Sequence, residues 1–283
     1  MGVIDFRARA NTPETDAYLR PRIDDIERMG ITFPGQGREW YRAPAETIDD
    51  FIGRLEPAGI DAVVFVGRNR TASVPDWPLT NDFVAEVAAK YPSQVLAMAG
   101  LDATDLDGAP AELHRSVAEL GLRGANLDPF QIEAEADDPR FFPVYEACCE
   151  LGVPLILTFG ALPGIPTIMR NGPRALDAVA QRFPDLTLIA CHGGWPFTMD
   201  MIAVAWRNPN VYFDNSFYHF APGADVLVQA ANEMIGDKML YASAYPFLPL
   251  EQTAESFQAL PFTPAARAAV MGGNARRIFG LPA

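Results

Sequence analysis

The 283 residues carry 22 Lys and Arg against 36 Asp and Glu, a formal net charge of −14. With 49% hydrophobic and 20% charged residues the chain can bury a large core, and its acidic balance disfavours a nucleic-acid partner. No run approaches the roughly 18 apolar residues that span a bilayer, no basic leader precedes the first strand-like segment, and Cys148, Cys149 and Cys191 form no paired framework, so a cytoplasmic protein without a membrane partner is expected.

Along the chain, short β-branched runs alternate with amphipathic helical stretches. Val3–Phe6 reads as a buried strand, and a polar, Arg-rich insertion follows from Arg7 to about Ala45, rich in Pro and Gly. Thr47 then opens a helix whose apolar positions Ile48, Phe51, Ile52 and Leu55 recur with the helical period, and Gly59 lies just past its end. Ala62–Val66 is a continuous apolar run, as expected of a strand covered on both faces. The pattern repeats: helix Asn81–Tyr91 with strand Val95–Leu101, helix Pro110–Leu120 with strand Leu122–Leu127, and helix Pro139–Leu151 with strand Pro154–Thr158. Helix Pro173–Phe183 precedes strand Thr187–His192, helix Phe197–Arg207 precedes Asn210–Asp214, and helix Ala224–Ile235 precedes Lys238–Ala242. Leu250–Leu260 and Pro264–Phe279 close the chain as helices.

About eight strand–helix repeats without a composition shift predict one α/β domain over residues 1–283, a (β/α)8 TIM barrel, with the insertion at about 7–45 as a lid. A doubly wound open sheet is the alternative, but Arg7-Ala8-Arg9-Ala10-Asn11 after the first strand is no Gly-rich nucleotide cradle. Barrel enzymes work at the C-terminal ends of their strands. That rule selects Arg7 and Arg9, Arg68 and Asn69, Asp102, Asn126 and Asp128, Thr158 and Phe159, His192, then Asp214, Asn215 and Ser216, and finally Ser243, Ala244 and Tyr245.

Several segments now carry a likeness. Cys191-His192-Gly193-Gly194, Asn210-Val211-Tyr212-Phe213-Asp214, Leu240-Tyr241-Ala242-Ser243-Ala244-Tyr245-Pro246-Phe247 and Gly273-Asn274-Ala275-Arg276-Arg277-Ile278-Phe279 occur in this order. Together the sequence resembles the amidohydrolase-related family, which includes aminocarboxymuconate-semialdehyde decarboxylase, benzoate decarboxylases and lactonases. The resemblance runs from Val3 to the C-terminus and is strongest over the last hundred residues. Metal-bearing members hold a divalent ion with a His-x-His pair after strand one, a His after strand five and an Asp after strand eight. The corresponding positions here are Arg7 and Arg9, Thr158 and Ala244, and only the strand-six histidine, His192, is retained. Guanidinium is donor-only and positively charged, whereas a zinc or iron site needs three or four lone-pair donors. The expectation is no catalytic metal and no cofactor.

Residues two apart on an extended segment point alike, so Arg7 and Arg9 form a candidate fork for a small anionic substrate, a carboxylate or an enolate. A structural ion pair with Asp5, Asp24, Asp25 or Glu27 is the competing reading. His192 is the candidate general acid/base, or else a relic histidine hydrogen-bonded in the mouth. Tyr245 and Ser243 are candidate oxyanion donors, although Tyr245 equally suits a wedge against Pro246. His219 is a candidate second acid/base or an aromatic packing element, and Asn126, Thr158 and Trp195 are candidate substrate contacts. Cys191 reads as a packed thiol rather than a nucleophile. Aromatic residues near the mouth, among them Trp40, Trp77, Phe130 and Phe217, point to an aromatic or unsaturated carboxylate. These residues predict a metal-independent hydrolase of a carboxylate-bearing lactone, ester or amide. The alternatives are a decarboxylase or other carbon–carbon lyase, or a non-catalytic anion-binding barrel. Family members often pair, which points to a homodimer, but the residues themselves leave the oligomeric state open.

Overall fold

The structure, a computed structural model, describes residues 2–33, 39–68, 76–161 and 172–282. Asn69, one of the strand-end candidates, lies outside them. Eight strands form one sheet in chain order, each parallel to the next: β1 (Val3–Asp5), β2 (Ile60–Val66), β3 (Val95–Gly100), β4 (Ala125–Leu127), β5 (Leu155–Thr158), β6 (Leu188–Cys191), β7 (Val211–Asp214) and β8 (Met239–Leu240). The segment after β8 returns to β1. The Phe6 amide donates to the Tyr241 carbonyl at 2.8 Å, the Ala244 amide to Arg7 at 3.0 Å, and the Arg9 amide to Tyr245 at 3.2 Å. Those bonds bring the two edges together, and the architecture is the (β/α)8 barrel.

Strand periodicity divides the core in two. Val64, Leu96, Met98, Ile156, Ile189 and Leu240 fill the barrel interior, while Val63, Phe65, Ala97, Leu157, Leu188 and Phe213 point outward under the helices. Each fully buried aliphatic side chain contributes about 1.5–3 kcal/mol, so this alternation fixes register as well as stability. Helices α1 (Pro13–Arg28), α2 (Ile48–Leu55), α3 (Asn81–Lys90), α4 (Ala109–Ala118), α5 (Phe142–Leu151), α6 (Pro173–Arg182), α7 (Thr198–Arg207) and α8 (Asp225–Ala230) connect the strands. After β8 come α9 (Leu250–Gln258), α10 (Pro264–Ala268) and α11 (Asn274–Ile278). Behind α11, Phe279 stacks on Phe6 at 5.7 Å and helps to plug the floor of the barrel. None of the helices among the described residues is long and apolar enough to cross a membrane.

The insertion after β1, expected from the sequence as a loop/helix region with no helix placed in it, carries the 16-residue helix α1. Thr12 caps it by accepting from the Thr15 amide, Pro13 occupies the first turn, and Thr15, Tyr18, Leu19 and Ile23 bury one stripe. Pro21 in its middle hid that stripe from a pattern reading. Strands four and eight are also shorter than the sequence suggests. Leu122–Gly124 and Tyr241–Ala242 run on as buried or closely packed segments outside the regular ladder.

Candidate active site

A cavity of about 350 Å³ opens at the C-terminal ends of the strands, where α1 and the segment around Trp40 lean over the barrel. Its lining divides into a polar side, with Arg7, Arg9, Arg68, Asp128, Thr158 and His192, and an apolar side, with Trp40, Phe130, Phe217 and Phe247. Tyr18 and Arg22 of α1 complete the wall.

Arg7 and Arg9 follow β1 in an extended segment, and both line the cavity while Ala8 and Ala10 between and beyond them pack into the core. The Arg7 guanidinium donates to the Cys191 Sγ at 3.0 Å. Burial pushes the Cys191 thiol up to about 12, so it accepts as a neutral thiol and does not neutralise the arginine. Arg9 lies over the Trp77 ring at 5.3 Å, and Arg68 approaches the same ring at 5.9 Å. The acidic residues that might have paired with the fork are engaged elsewhere. Asp24 and Glu27 hold Arg42 at 2.8 and 2.6 Å, Asp25 holds Arg28, and Asp5 Oδ1 accepts the backbone amides of Arg7 at 3.1 Å and Ser243 at 2.9 Å rather than a guanidinium. Among the described residues neither the Arg7 nor the Arg9 guanidinium has an ion-pair partner. Burial, with Arg7 and Arg68 nearby, lowers Arg9 to about 9. Against burial, Asp214 and Asp128 act on Arg7 through their fields and help to hold its pKa above the ordinary value, but among the described residues neither makes an ion pair with it. Two adjacent cations without a direct carboxylate contact form an electrostatic sink for an anion.

Asp128 lines the same cavity in a different state. It holds Arg68 in an ion pair and accepts from the Thr158 hydroxyl and from Asn126 Nδ2, the latter at 3.3 Å. Burial alone would raise its pKa, but Arg68, Thr158, Arg7 and Asn126 together hold the carboxyl below its ordinary range. Asn126 and Thr158 therefore shape an acidic anchor for Arg68. Thr158 also lines the main cavity, and Asn126 lines a narrow recess beneath it that Arg7, Arg9 and Arg68 share.

His192 lines the cavity at the end of β6 with φ near 63°. Its Nδ1 faces the Ser216 carbonyl at 3.2 Å and the Ser216 hydroxyl at 3.0 Å. Burial, followed by the field of Arg7, lowers its pKa to about 3, so the ligand-free ring is neutral near pH 7. Phe217 and Ala244, which also line the cavity, have φ near 74° and 63°. Three non-glycine residues in left-handed conformations on one cavity wall mark a place where local strain of about 1–3 kcal/mol each is held by the surrounding fold.

The other predicted residues lie behind or beside this wall. His219 is buried away from the cavity, its Nε2 facing the Ala242 carbonyl at 2.6 Å and its Nδ1 facing the side-chain Oδ1 of Asn215 at 2.8 Å, with Phe257 edge-on. Both ring nitrogens are occupied, which is the packing arrangement. Tyr245 turns outward to Glu46 and Arg54 and stacks on Phe51 at 5.7 Å. Ser243 gives its backbone amide to Asp5 at 2.9 Å, and its hydroxyl accepts the Tyr245 amide at 3.0 Å. Trp195 stacks on Tyr218 at 4.9 Å and donates to Pro222 at 3.0 Å, outside the cavity lining. Arg68 and Asp128 were visible as strand-end residues, but their mutual pairing was not. Arg22, which donates to the Tyr18 carbonyl at 2.6 Å, was missed because no helix bounds were assigned within the insertion.

The donor set does not fit a divalent ion. Arg7 and Arg9 carry no lone pairs, Arg7 engages the Cys191 thiol, and Arg68 occupies Asp128. Among the described residues no group of three or more His, Cys, Asp or Glu converges to hold a metal.

Comparison with known proteins agrees with the geometry at the level of fold and family. The family model described as amidohydrolase matches residues 14–281. The chain is 25% identical to a gamma-resorcylate decarboxylase of Polaromonas sp. (strain JS666 / ATCC BAA-500), over 93% of this chain and 90% of that protein. It is 26% identical to a 2-keto-4-carboxy-3-hexenedioate hydratase of Sphingobium sp. (strain NBRC 103272 / SYK-6), with 83% of each chain covered. An uncharacterized TIM-barrel protein from Bordetella bronchiseptica superposes with a TM-score of 0.84 at 32% identity, with 99% of each chain covered. These relatives include a decarboxylase and a hydratase but no hydrolase, and so favour the second of the sequence-derived reactions over the first.

Proposed function

The chain belongs to the amidohydrolase family, and from that premise we propose that it is a decarboxylase, a carbon–carbon lyase that removes CO₂ from an aromatic or unsaturated carboxylate without a resident metal ion. One observation carries the reading: two guanidinium groups without an ion-pair partner among the described residues line a cavity together with a neutral imidazole and several aromatic rings. A carboxylate that leaves as CO₂ loses its charge, so gripping it with arginines would stabilise the ground state more than the transition state. Arg7 and Arg9 serve better on the enolate or phenolate oxygen whose charge grows as the carbon–carbon bond breaks. The leaving carboxylate then faces Trp40, Phe130 and Phe217, where desolvation favours neutral CO₂.

His192 carries the one proton that the reaction consumes. The bound anion offsets Arg7 and Arg9, which raises the His192 pKa from its ligand-free value. Nε2 then takes a proton from water and delivers it to the carbon that loses CO₂. The electron pair of the broken bond ends in the new C–H bond, and the balance is carboxylate plus proton to product plus CO₂. A second reading rests on the same atom: a neutral His192 is also a base that could activate water for hydration or hydrolysis.

The test is turnover of a panel of hydroxybenzoates and unsaturated carboxylates, followed by CO₂ release. Elemental analysis and a chelator-treated sample run in parallel. Released CO₂, activity that survives the chelator, and its loss in His192→Ala support the proposal. Products that keep the carboxylate and gain water favour the second reading, and a stoichiometric metal whose removal abolishes activity overturns the metal-free reaction.

A further inference from the structure

Behind His192 lies a hydrogen-bond chain that neither the resemblance nor the comparisons assign. Asp214 Oδ1 accepts three donors: the His192 amide at 3.2 Å, the Ser216 amide at 2.9 Å and the Ser216 hydroxyl. The hydroxyl has one proton, and Asp214 takes it. The Ser216 Oγ therefore presents only lone pairs to His192 Nδ1, 3.0 Å away, and the Ser216 carbonyl presents lone pairs to the same nitrogen at 3.2 Å. Two acceptors aimed at one ring nitrogen require a proton on it.

We propose that Ser216, oriented by Asp214, is a positioning residue that fixes His192 in the Nδ1–H tautomer and so makes Nε2 the atom that accepts protons in the cavity. The sequence separates the three residues by up to 24 positions, and the adjacent ends of β6 and β7 bring them together. Ser216 and Asp214 are fully buried, so solvent offers Nδ1 no alternative partner. The proposal rests on the reading of His192 as the proton carrier, but its first test does not depend on turnover.

The chain has three histidines, so ¹⁵N NMR of the labelled protein can resolve each ring, with His192→Gln and His114→Gln used for assignment. His192 should show a protonated Nδ1 and a bare, pyridine-like Nε2. In Ser216→Ala, loss of one of two acceptors should let the Nε2–H form appear and lower kcat about five- to tenfold with KM nearly unchanged. A wild-type His192 protonated at Nε2 overturns the proposal whatever the enzyme does. So does a Ser216→Ala protein whose tautomer and kcat match wild type, or one that changes KM alone. Inactivity of wild type on every carboxylate, with the Nδ1–H tautomer present, counts against the proposed reaction and leaves the tautomer assignment standing.

Discussion

Replacing Arg9 by methionine should stabilise the ligand-free protein and weaken its hold on carboxylates. Arg9 has no ion-pair partner among the described residues, and burial with Arg7 and Arg68 lowers it to about 9 from an ordinary 12.5. At about 1.4 kcal/mol per pH unit the charge is disfavoured by roughly 5 kcal/mol. Arg9 is only half-buried, and water in the open cavity screens this to about 1–3 kcal/mol. Methionine keeps most of the stem that covers Trp77, so the variant should gain about 1–2 kcal/mol, or roughly 2–4 °C in Tm at this chain length. Losing one charge-assisted contact should weaken salicylate binding by about 30- to 100-fold. The pH dependence has a definite sign. A base whose folded pKa lies below its unfolded value opposes folding fully below about pH 9, and less as the pH rises toward 12.5. The stability gap between variant and wild type should therefore narrow between pH 8 and pH 10.5. Thermal denaturation with and without salicylate, together with titration calorimetry, measures both effects. An Arg9→Met protein that is less stable than wild type and binds salicylate unchanged would refute the unpaired-cation argument.

Arg68→Met in the same cavity should behave in the opposite way. It removes the ion-pair partner of buried Asp128, which keeps only its Thr158 and Asn126 hydrogen bonds and the field of Arg7, and denaturant titration should show a loss of about 3–5 kcal/mol. Burial lowers His219 to about 4, so as pH falls from about 6.5 to 4 the unfolded ring takes a proton that the folded ring refuses, and stability drops. His219→Phe should remove that slope while leaving turnover measurable. Asp5 runs the other way: it is raised to about 6, chiefly by burial, so its protonated form stabilises below about pH 4 and that contribution is lost as pH rises to 6. A stability–pH series on Asp5→Asn should lack this loss. If anion binding raises His192, the kcat profile should bend at a pH well above the ligand-free value of about 3, with the rate falling as pH rises through the bend. Thr47→Ala breaks the reciprocal cap with Asp50 and should cost about 1 kcal/mol in an unfolding titration.

Periodicity along the chain settled the barrel. An alternation of two-residue and helical hydrophobic repeats leaves few ways to bury both faces of eight parallel strands, and the positions of Arg7, Arg9 and His192 at strand ends followed from that alone. That Arg7 and Arg9 offer hydrogen-bond donors and no lone pairs was equally legible, because donor capacity belongs to the residue type and not to its surroundings. What the sequence left open was direction and pairing. Tyr245, Ser243 and His219 sit beside the mouth in sequence, yet none lines the cavity: Tyr245 turns outward to Glu46 and Arg54, the Ser243 amide donates to Asp5, and His219 faces the Ala242 carbonyl. Helix α1 was hidden because Pro21 interrupts a stripe that pays off only when it packs over the barrel. The neutrality of His192 and the loneliness of Arg9 belong to the tertiary structure as well. A pKa is set by burial and by nearby charges, and for His192 the foremost charge is that of Arg7, 185 positions away in the chain.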